Sequence, residues 1–579
     1  MRPRRVLIAL VTLAAAALLA PASAGAHAVL ERTVPARGAD LRTQPQQVVF
    51  LFSEPVESAF GAIRVYDSSG EEVQAGEIER PVDDGSGIAI ALEPDLADGT
   101  YTATYRVVSA DSHPVSGGFV FSIGNPSAGG ATVAELLGRQ RDTGGTSSAA
   151  FVADRWIGYV ATALLVGGIA FLLLVSAPAL AAGERPWRNA AASVRARLRR
   201  LTLVAALAGL AATVLSLPLQ IAAAAGIPFT DAVSTDDLGE LLSTRYGVVE
   251  VIRAGAFALL IPVVAVGLRG DGAGRDRPRV LLAAAAAPSV AFLLLAPALA
   301  GHASTQEPTW LLFPLDVLHV AAMALWLGGL AALLIALPAA TAAIDPGQRG
   351  DLLLAVLRRF SPLALGCVVA LALSGTVQAI VEVGSFGALL DTGFGRAVLI
   401  KAALLIALIG LGFMNRNRLL PAIAAGAGRP PGTPGRRLRA NLRLELLGIA
   451  AALVAAAMMT GYAPPSEAAK GPVSGSVTVG SNYLEYTVEP ATVGANQLHL
   501  YLFDSGDGGQ VEPQELTVTA SLRSKDVGPI ELDPREAGPG HFVVQRAAFG
   551  IAGDWTIEVT VRTSRFDQDE VEFDVPIER

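Results

Sequence analysis

The stretch Leu315–Leu330, LDVLHVAAMALWLGGL, sits inside an apolar run from about 314 to 340. As a helix it crosses a bilayer, because roughly 20 residues at about 1.5 Å each cover the ~30 Å hydrocarbon core. Seven further runs, near 156–181, 200–225, 247–268, 280–300, 361–383, 396–414 and 442–462, bring the expected spans to eight. The whole chain has 579 residues, 52% hydrophobic and 17% charged. A soluble domain carries about 25% charged residues, so an ordinary soluble protein is excluded. The chain is too apolar for disorder and too long for one core. A net charge of -8 argues against nucleic acid as a partner. A single cysteine excludes an intrachain disulfide and any Cys-rich zinc or iron–sulfur site.

The connecting loops alternate in charge. Basic loops follow the first span (Arg185 to Arg200), the third (Arg269 to Arg279) and the seventh (Arg416 to Arg439), and the fifth loop ends in Arg358-Arg359. The alternate loops carry Asp231, Asp236, Asp237, Glu240, Glu307 and Asp391. The positive-inside rule then puts both ends of the membrane block outside the cytoplasm, in a multi-pass plasma (inner) membrane protein. The start of the chain agrees. Arg2, Arg4 and Arg5 precede an apolar stretch and the small-residue site Ala24-Gly25-Ala26, so residues 1–26 read as a signal peptide cleaved to expose His27.

On either side of the membrane block (151–465) the pattern changes to alternation. In 27–124, runs at Val48–Phe52, Ala62–Asp67, Ile88–Leu92, Tyr101–Val108 and Phe119–Ile123 predict a small β-sandwich. Residues 125–150, rich in Gly, Ser, Ala and Thr, read as a linker. Residues 466–579 predict a second, acidic β-sandwich. The membrane block also repeats itself. LLSTRYGVVEVIRA (Leu241–Ala254) matches LLDTGFGRAVLIKA (Leu389–Ala402), and GGIA at Gly167–Ala170 echoes GGLA at Gly328–Ala331. Two four-helix halves in parallel orientation account for both.

The ligand-type residues point to copper. As a first residue, His27 offers its α-amine and imidazole to one metal, a nitrogen pair that suits Cu(II). Asp111 and His113 are two apart, so in an extended segment they face the same side and converge. Together these make a tetragonal N/O site. In the membrane block, His302 lies at the end of the fourth span and His319 one turn into the fifth. Met323 follows His319 by four residues on the same helix face. Met458 and Met459 end the eighth span. All lie within roughly 15 Å of the outer surface at about 1.5 Å per residue, and intramembrane ionisable groups are functional candidates by default. They form the transport candidates, with Cys367 deeper and Met414 near the inner face. Packing and structural hydrogen bonding explain the same residues without a metal.

The segments HAVLERTVPARGA, FSEPVE (Phe52–Glu57) and SADSHPVSGGFVFSI (Ser109–Ile123) resemble the CopC family of periplasmic copper-binding proteins. The resemblance implies a cupredoxin-like Greek-key sandwich. It implies Cu(II) held by the amine and imidazole of His27 with Asp111 and His113, and it adds Glu54 as an axial or neighbouring acidic group. The membrane block resembles CopD through GHAS (Gly301–Ser304), Leu315–Leu330, RRFSPLAL (Arg358–Leu365), SGTVQ (Ser374–Gln378) and the GFGRAVLIKAALL segment. That resemblance implies copper movement, with import as its expected direction and Cu(I) or Cu(II) as the species carried. The last block is similar to YtkA-like domains through NQLHLYLFD, GPGHFVV and GIAGDWTIEVTV, and its His499 and His541 read as structural.

The expected protein is a CopC–CopD fusion that captures Cu(II) outside the cytoplasm and passes copper through the bilayer. An extracytoplasmic copper chaperone is a compatible partner. No phosphate-binding loop is present in the sequence, so ATP is not the expected driving force. Three other readings stand beside this one. A histidine-brace site can activate oxygen, facing histidines can hold one haem, and a copper site can serve storage or sensing for resistance.

Overall fold

The computed structural model describes residues 30–36, 39–52, 56–57, 63–82, 85–109, 114–124, 145–183, 185–225, 229–234, 237–268, 276–304, 306, 308–426, 430–460, 473–489, 491–504, 511–538 and 540–577. The expected signal peptide and most of the expected linker lie outside them. The chain forms a helical unit and a β-rich unit.

In lipid a backbone must satisfy its own hydrogen bonds, so every apolar run is helical. The long helices are α1 (Gly145–Ala170, continuing through a π-type turn, Phe171–Ser176, to Ala177–Ala181), α2 (Arg185–Ala225), α3 (Arg245–Gly267) and α4 (Asp276–Ala300). The second half supplies α5 (Thr309–Ala342), α6 (Arg349–Val383), α7 (Gly393–Met414) and α8 (Gly432–Met459). Each of the eight expected runs falls on one of them, with the last two residues of 442–462 outside the described residues. By length and composition seven qualify as membrane-crossing, and the described apolar stretch of α4, Ala286–Ala300, is shorter than a span. The charged Asp276, Arg277 and Arg279 occupy the first turn of α4. The chain is a multi-pass membrane protein. Large apolar side chains such as Val204, Ile406, Phe413 and Leu447 point outward, as a lipid-facing surface requires.

The two expected repeat signals correspond to two local structures. Before α3, Thr244 caps the helix by accepting from the Gly247 amide at 3.0 Å. Before α7, Thr392 accepts from the Gly395 amide at 3.0 Å. Each follows a short helix, Asp237–Ser243 or Phe386–Asp391. Each glycine lets that short helix press on the cap: a β-carbon would meet a carbonyl oxygen at 2.0 Å from Gly247 and 2.2 Å from Gly395. The second signal is a contact between the halves. A β-carbon on Gly167 of α1 would sit 2.2 Å from the Ala324 carbonyl oxygen and 2.7 Å from Gly328 Cα on α5. One on Gly328 would sit 2.1 Å from the Ala163 oxygen and 2.7 Å from Gly167 Cα. This reciprocal small-residue crossing brings the two backbones into contact. Around it packs a buried core including Val166, Trp326, Leu330 and Phe360, with Phe171 edge-on to Phe360 at 6.1 Å.

The β-rich unit holds two sandwiches. The first comprises β1 (Leu30–Val34), β2 (Asp40–Leu41), β3 (Gln47–Phe52), β4 (Val56–Glu57), β5 (Ile63–Tyr66), β6 (Gln74–Glu79), β7 (Gly87–Leu92), β8 (Gly99–Ser109) and β9 (Pro114–Ile123). Its sheets run β1-β3-β7-β6 and β2-β9-β8-β4, with β5 also on β8. Phe50, Ile88, Tyr105 and Phe121 fill the space between them. The second comprises β10 (Val473–Val479), β11 (Asn482–Glu489), β12 (Gly494–Asp504), β13 (Glu515–Leu522), β14 (Val527–Leu532), β15 (Arg535–Gly538), β16 (His541–Phe549), β17 (Gly553–Arg562) and β18 (Gln568–Ile577). Its sheets run β10-β11-β12-β16-β15 and β14-β13-β17-β18, closed over Leu498, Leu500, Leu502 and Trp555.

The crossing of α1 and α5 has no room for a methyl group. Gly328→Ala is expected to destabilise the protein by about 1–3 kcal/mol. Gly366→Ala and Gly410→Ala, where nothing lies within 4 Å, are expected to be neutral or slightly stabilising. Thermal unfolding in detergent micelles checks both.

Candidate functional site

The four ligands expected in the first sandwich, His27, Glu54, Asp111 and His113, lie outside the described residues. The strand ends that flank them are described, and they are paired. Leu30, three residues after His27, pairs with Phe52, two residues before Glu54. Val56, two residues after Glu54, pairs with Ser109. Val108 pairs with Pro114, so the hairpin of β8 and β9 brackets Asp111 and His113. Each ligand position is within three residues, at no more than ~3.6 Å per residue, of one of these described strand ends.

In the helical unit the polar groups gather at the end where α1, α3, α5 and α7 begin. His319 on α5 places Nδ1 2.9 Å from the Ser374 hydroxyl on α6. That hydroxyl has one proton and donates it to the Ala370 carbonyl at 2.7 Å. Nδ1 of His319 must therefore be the donor, and Nε2 carries the lone pair. Gly375 makes room for the ring, since a β-carbon there would be 3.2 Å from His319 Cε1. One turn earlier, Asp316 accepts from Gln378 Nε2 at 3.1 Å. The two helices thus share two polar rungs, His319–Ser374 and Asp316–Gln378. An imidazole oriented through one nitrogen and open at the other is how proteins present histidine to a metal.

The other membrane candidates separate. Met323 packs against the apolar core. Met459 is buried, and its sulfur accepts from Lys401 Nζ of α7 at 3.6 Å. Met458 is 46% exposed. His302 begins a short turn, His302–Ser304, and its side chain is outside the described residues. Cys367 is buried in the apolar core. Lys401 interacts electrostatically with Glu382 and Asp316, and with His319. Asp316, Ser374 and Gln378 lie within the CopD-like segments Leu315–Leu330 and Ser374–Gln378, which the sequence offers as motifs and not as site residues. One signal was available: Ser374-x3-Gln378 recurs as Ser216-x3-Gln220 near the end of α2.

The matching corner of the first half has different chemistry. Arg253, which aligns with Lys401 in the repeat, is paired at 3.1 Å with the buried Glu250 and is itself largely covered. The Ser216 hydroxyl donates to the Thr213 carbonyl at 2.8 Å and lies 3.4 Å from a Glu250 carboxylate oxygen. A β-carbon on Gly158 would be 2.8 Å from the Arg253 guanidinium, so the end of that side chain rests against α1.

Comparisons with known proteins agree with this division. Family models match at three places: the CopC domain at residues 30–124, the copper resistance protein D-like N-terminal domain at 146–311, and copper resistance protein D at 354–459. The chain is 28% identical over 566 residues to the copper transport protein CutJ of Bacillus subtilis (strain 168), covering 96% of each. It is 30% identical over 118 residues to copper resistance protein C of Pseudomonas syringae pv. tomato, covering 20% of this chain and 93% of that one. A crystal structure of CopC from Methylosinus trichosporium OB3b is 29% identical, covering 17% of this chain and 95% of its own, with a TM-score of 0.15.

The His319–Ser374 rung is expected to be energetically coupled. A double-mutant cycle of His319→Ala and Ser374→Ala should give an interaction of order 0.5–1.5 kcal/mol in thermal unfolding. Thr376→Ala, whose hydroxyl bonds its own helix at Ala372, should show no coupling to His319.

Proposed function

We propose that this chain, which joins a CopC domain and a CopD membrane domain in one polypeptide, captures Cu(II) outside the cytoplasm and carries copper inward across the bilayer. The observation that carries the reading is that union: CopC and CopD family models match in one chain. Likeness to a copper transport protein across 96% of both sequences supports it.

Capture is assigned to the first sandwich. The α-amine and imidazole of His27, with Asp111 and His113, supply three nitrogens and a carboxylate, which suits tetragonal Cu(II). Glu54 adds an axial or neighbouring charge. The pairing of Leu30 with Phe52, Val56 with Ser109 and Val108 with Pro114 supports this set, because each ligand position lies within three residues of one of those strand ends. Cleavage after Ala26 completes the site by freeing the amine, and the basic loops support placing both sandwiches outside.

Passage is assigned to the second half of the helical unit. His319 Nε2 is the first ligand on the route, since the Ser374 contact fixes the ring and leaves that lone pair available. Met323, on the same face of α5, offers a thioether that favours Cu(I), and His302 stands at the entrance. Lys401 beside Met459 and near His319 adds a positive charge that copper must pass. Asp316 and Glu382 offset that charge. The protein acts as a carrier and not as an enzyme.

Copper accumulation tests the reading in cells carrying wild type, His27→Ala with export preserved, His319→Ala or an empty vector. Wild type should raise intracellular copper above the empty control. His27→Ala should lower uptake when copper is scarce, and His319→Ala should bring it near the control. Equal copper in all four would overturn import. In a separate check, one residue left ahead of His27 should weaken Cu(II) binding by blocking the amine, read by electron paramagnetic resonance of the copper-loaded protein.

A further inference from the structure

We propose that the C-terminal sandwich holds a buried two-coordinate Cu(I) site made by His499 Nδ1 and His541 Nε2.

The placement of these residues is unusual for a sheet. On β12, Leu498, Leu500 and Leu502 are fully buried in the sandwich core. By strand alternation His499 and Tyr501 occupy the opposite face. That face of an antiparallel sheet is ordinarily polar and solvated. Here His499 and His541 are 9% and 6% exposed. His541 lies on the neighbouring β16, where it pairs with Tyr501.

Their geometry is that of two ligands facing each other. His499 Nδ1 and His541 Nε2 are 3.2 Å apart. The rings are nearly coplanar, at 17°, with centres 5.5 Å apart, so they meet edge to edge with the two nitrogens between them. One proton lies between two nitrogens, and at least one lone pair points along the line joining the rings.

A metal replaces that proton with little movement. Metal–imidazole bonds are about 2.0 Å, so a linear N–metal–N unit needs about 4 Å between nitrogens. The pair must open by less than ~1 Å. The bridging proton moves to the other nitrogen of its own ring, so no proton is released, and copper enters and stays as Cu(I). The ion is identified by the number of ligands. Among the described residues no group of three or more His, Cys, Asp or Glu converges, whereas Zn²⁺ and Cu(II) require about four ligands. A monovalent ion also costs less to desolvate than a divalent one.

Two neighbours suit a bound cation. The Tyr501 ring stacks on His541 at 4.2 Å and 9°, which fixes the imidazole plane. Glu485 pairs with Tyr501 from β11 and interacts electrostatically with it, so a carboxylate shares this face.

The inference rests on the copper reading only for the identity of the metal. The test uses full-length protein in detergent micelles without oxygen, titrated with Cu(I) against the competing chelator bicinchoninate. Wild type should bind one equivalent more than His499→Gln or His541→Gln, and the extra copper should give the X-ray absorption edge of a two-coordinate nitrogen site. Equal stoichiometry in wild type and both variants would overturn the site. Hydrogen exchange of the wild-type β12 and β16 peptides gives a second reading that needs no variant. Cu(I) should slow exchange there, and unchanged exchange at saturating Cu(I) overturns the proposal even if the variants fold poorly. Both measurements report binding whether or not the chain moves copper, so either reading can fail alone.

Discussion

The helical unit depends on one close approach, the crossing of α1 and α5 at Gly167 and Gly328. Lipid gives apolar helices no hydrophobic reason to associate, so association must come from contact between backbones and small side chains. Gly167 faces the Ala324 carbonyl and Gly328 faces the Ala163 carbonyl, each at a distance no side chain tolerates. The contact is reciprocal because the two helices carry the same small-residue spacing, Ala-x3-Gly, at 163–167 and 324–328. Trp326, Leu330 and Phe360 are buried around the crossing, and His319 lies on α5 nine residues before Gly328.

The same architecture carries two chemistries. Thr244 and Thr392 cap equivalent helices with the same 3.0 Å bond. Ser216 and Ser374, each four residues before a glutamine, reach across to an ionisable partner on another helix. In the first half that partner is Glu250, already closed on Arg253. A buried charge that loses its partner is costly, so that corner is committed to its own ion pair. In the second half the partner is His319, whose remaining nitrogen keeps a lone pair. The asymmetry leaves an imidazole at that corner of the second half, where the first half holds an ion pair.

The fold was largely legible before the structure. All five alternating runs expected in the first sandwich lie on strands β3, β5, β7, β8 and β9, because their buried faces impose the period of two. Strands β1, β2, β4 and β6 are not among those runs; of these β6, QAGEIE, is the longest. It pairs only with β7 at the edge of its sheet and is mostly exposed, so it has little apolar pattern to read. The site was legible in part. His319 stood out as an ionisable group in an apolar run, but its partner Ser374 did not, since serine is ordinary in membrane helices. His499 and His541 are 42 residues apart, with nothing local to join them.

By itself the sequence determined the classes of segment: where lipid-length apolar runs begin and end, which loops carry arginine, and which flanks alternate. These follow from hydrophobicity and charge, which act on each residue's own environment. The tertiary structure decided the pairings. It brought Gly167 to Gly328, Ser374 to His319, Lys401 to Met459 and His499 to His541. Such contacts depend on the crossing of helices and the register of strands, and periodicity along one chain carries no information about which of two distant faces will meet.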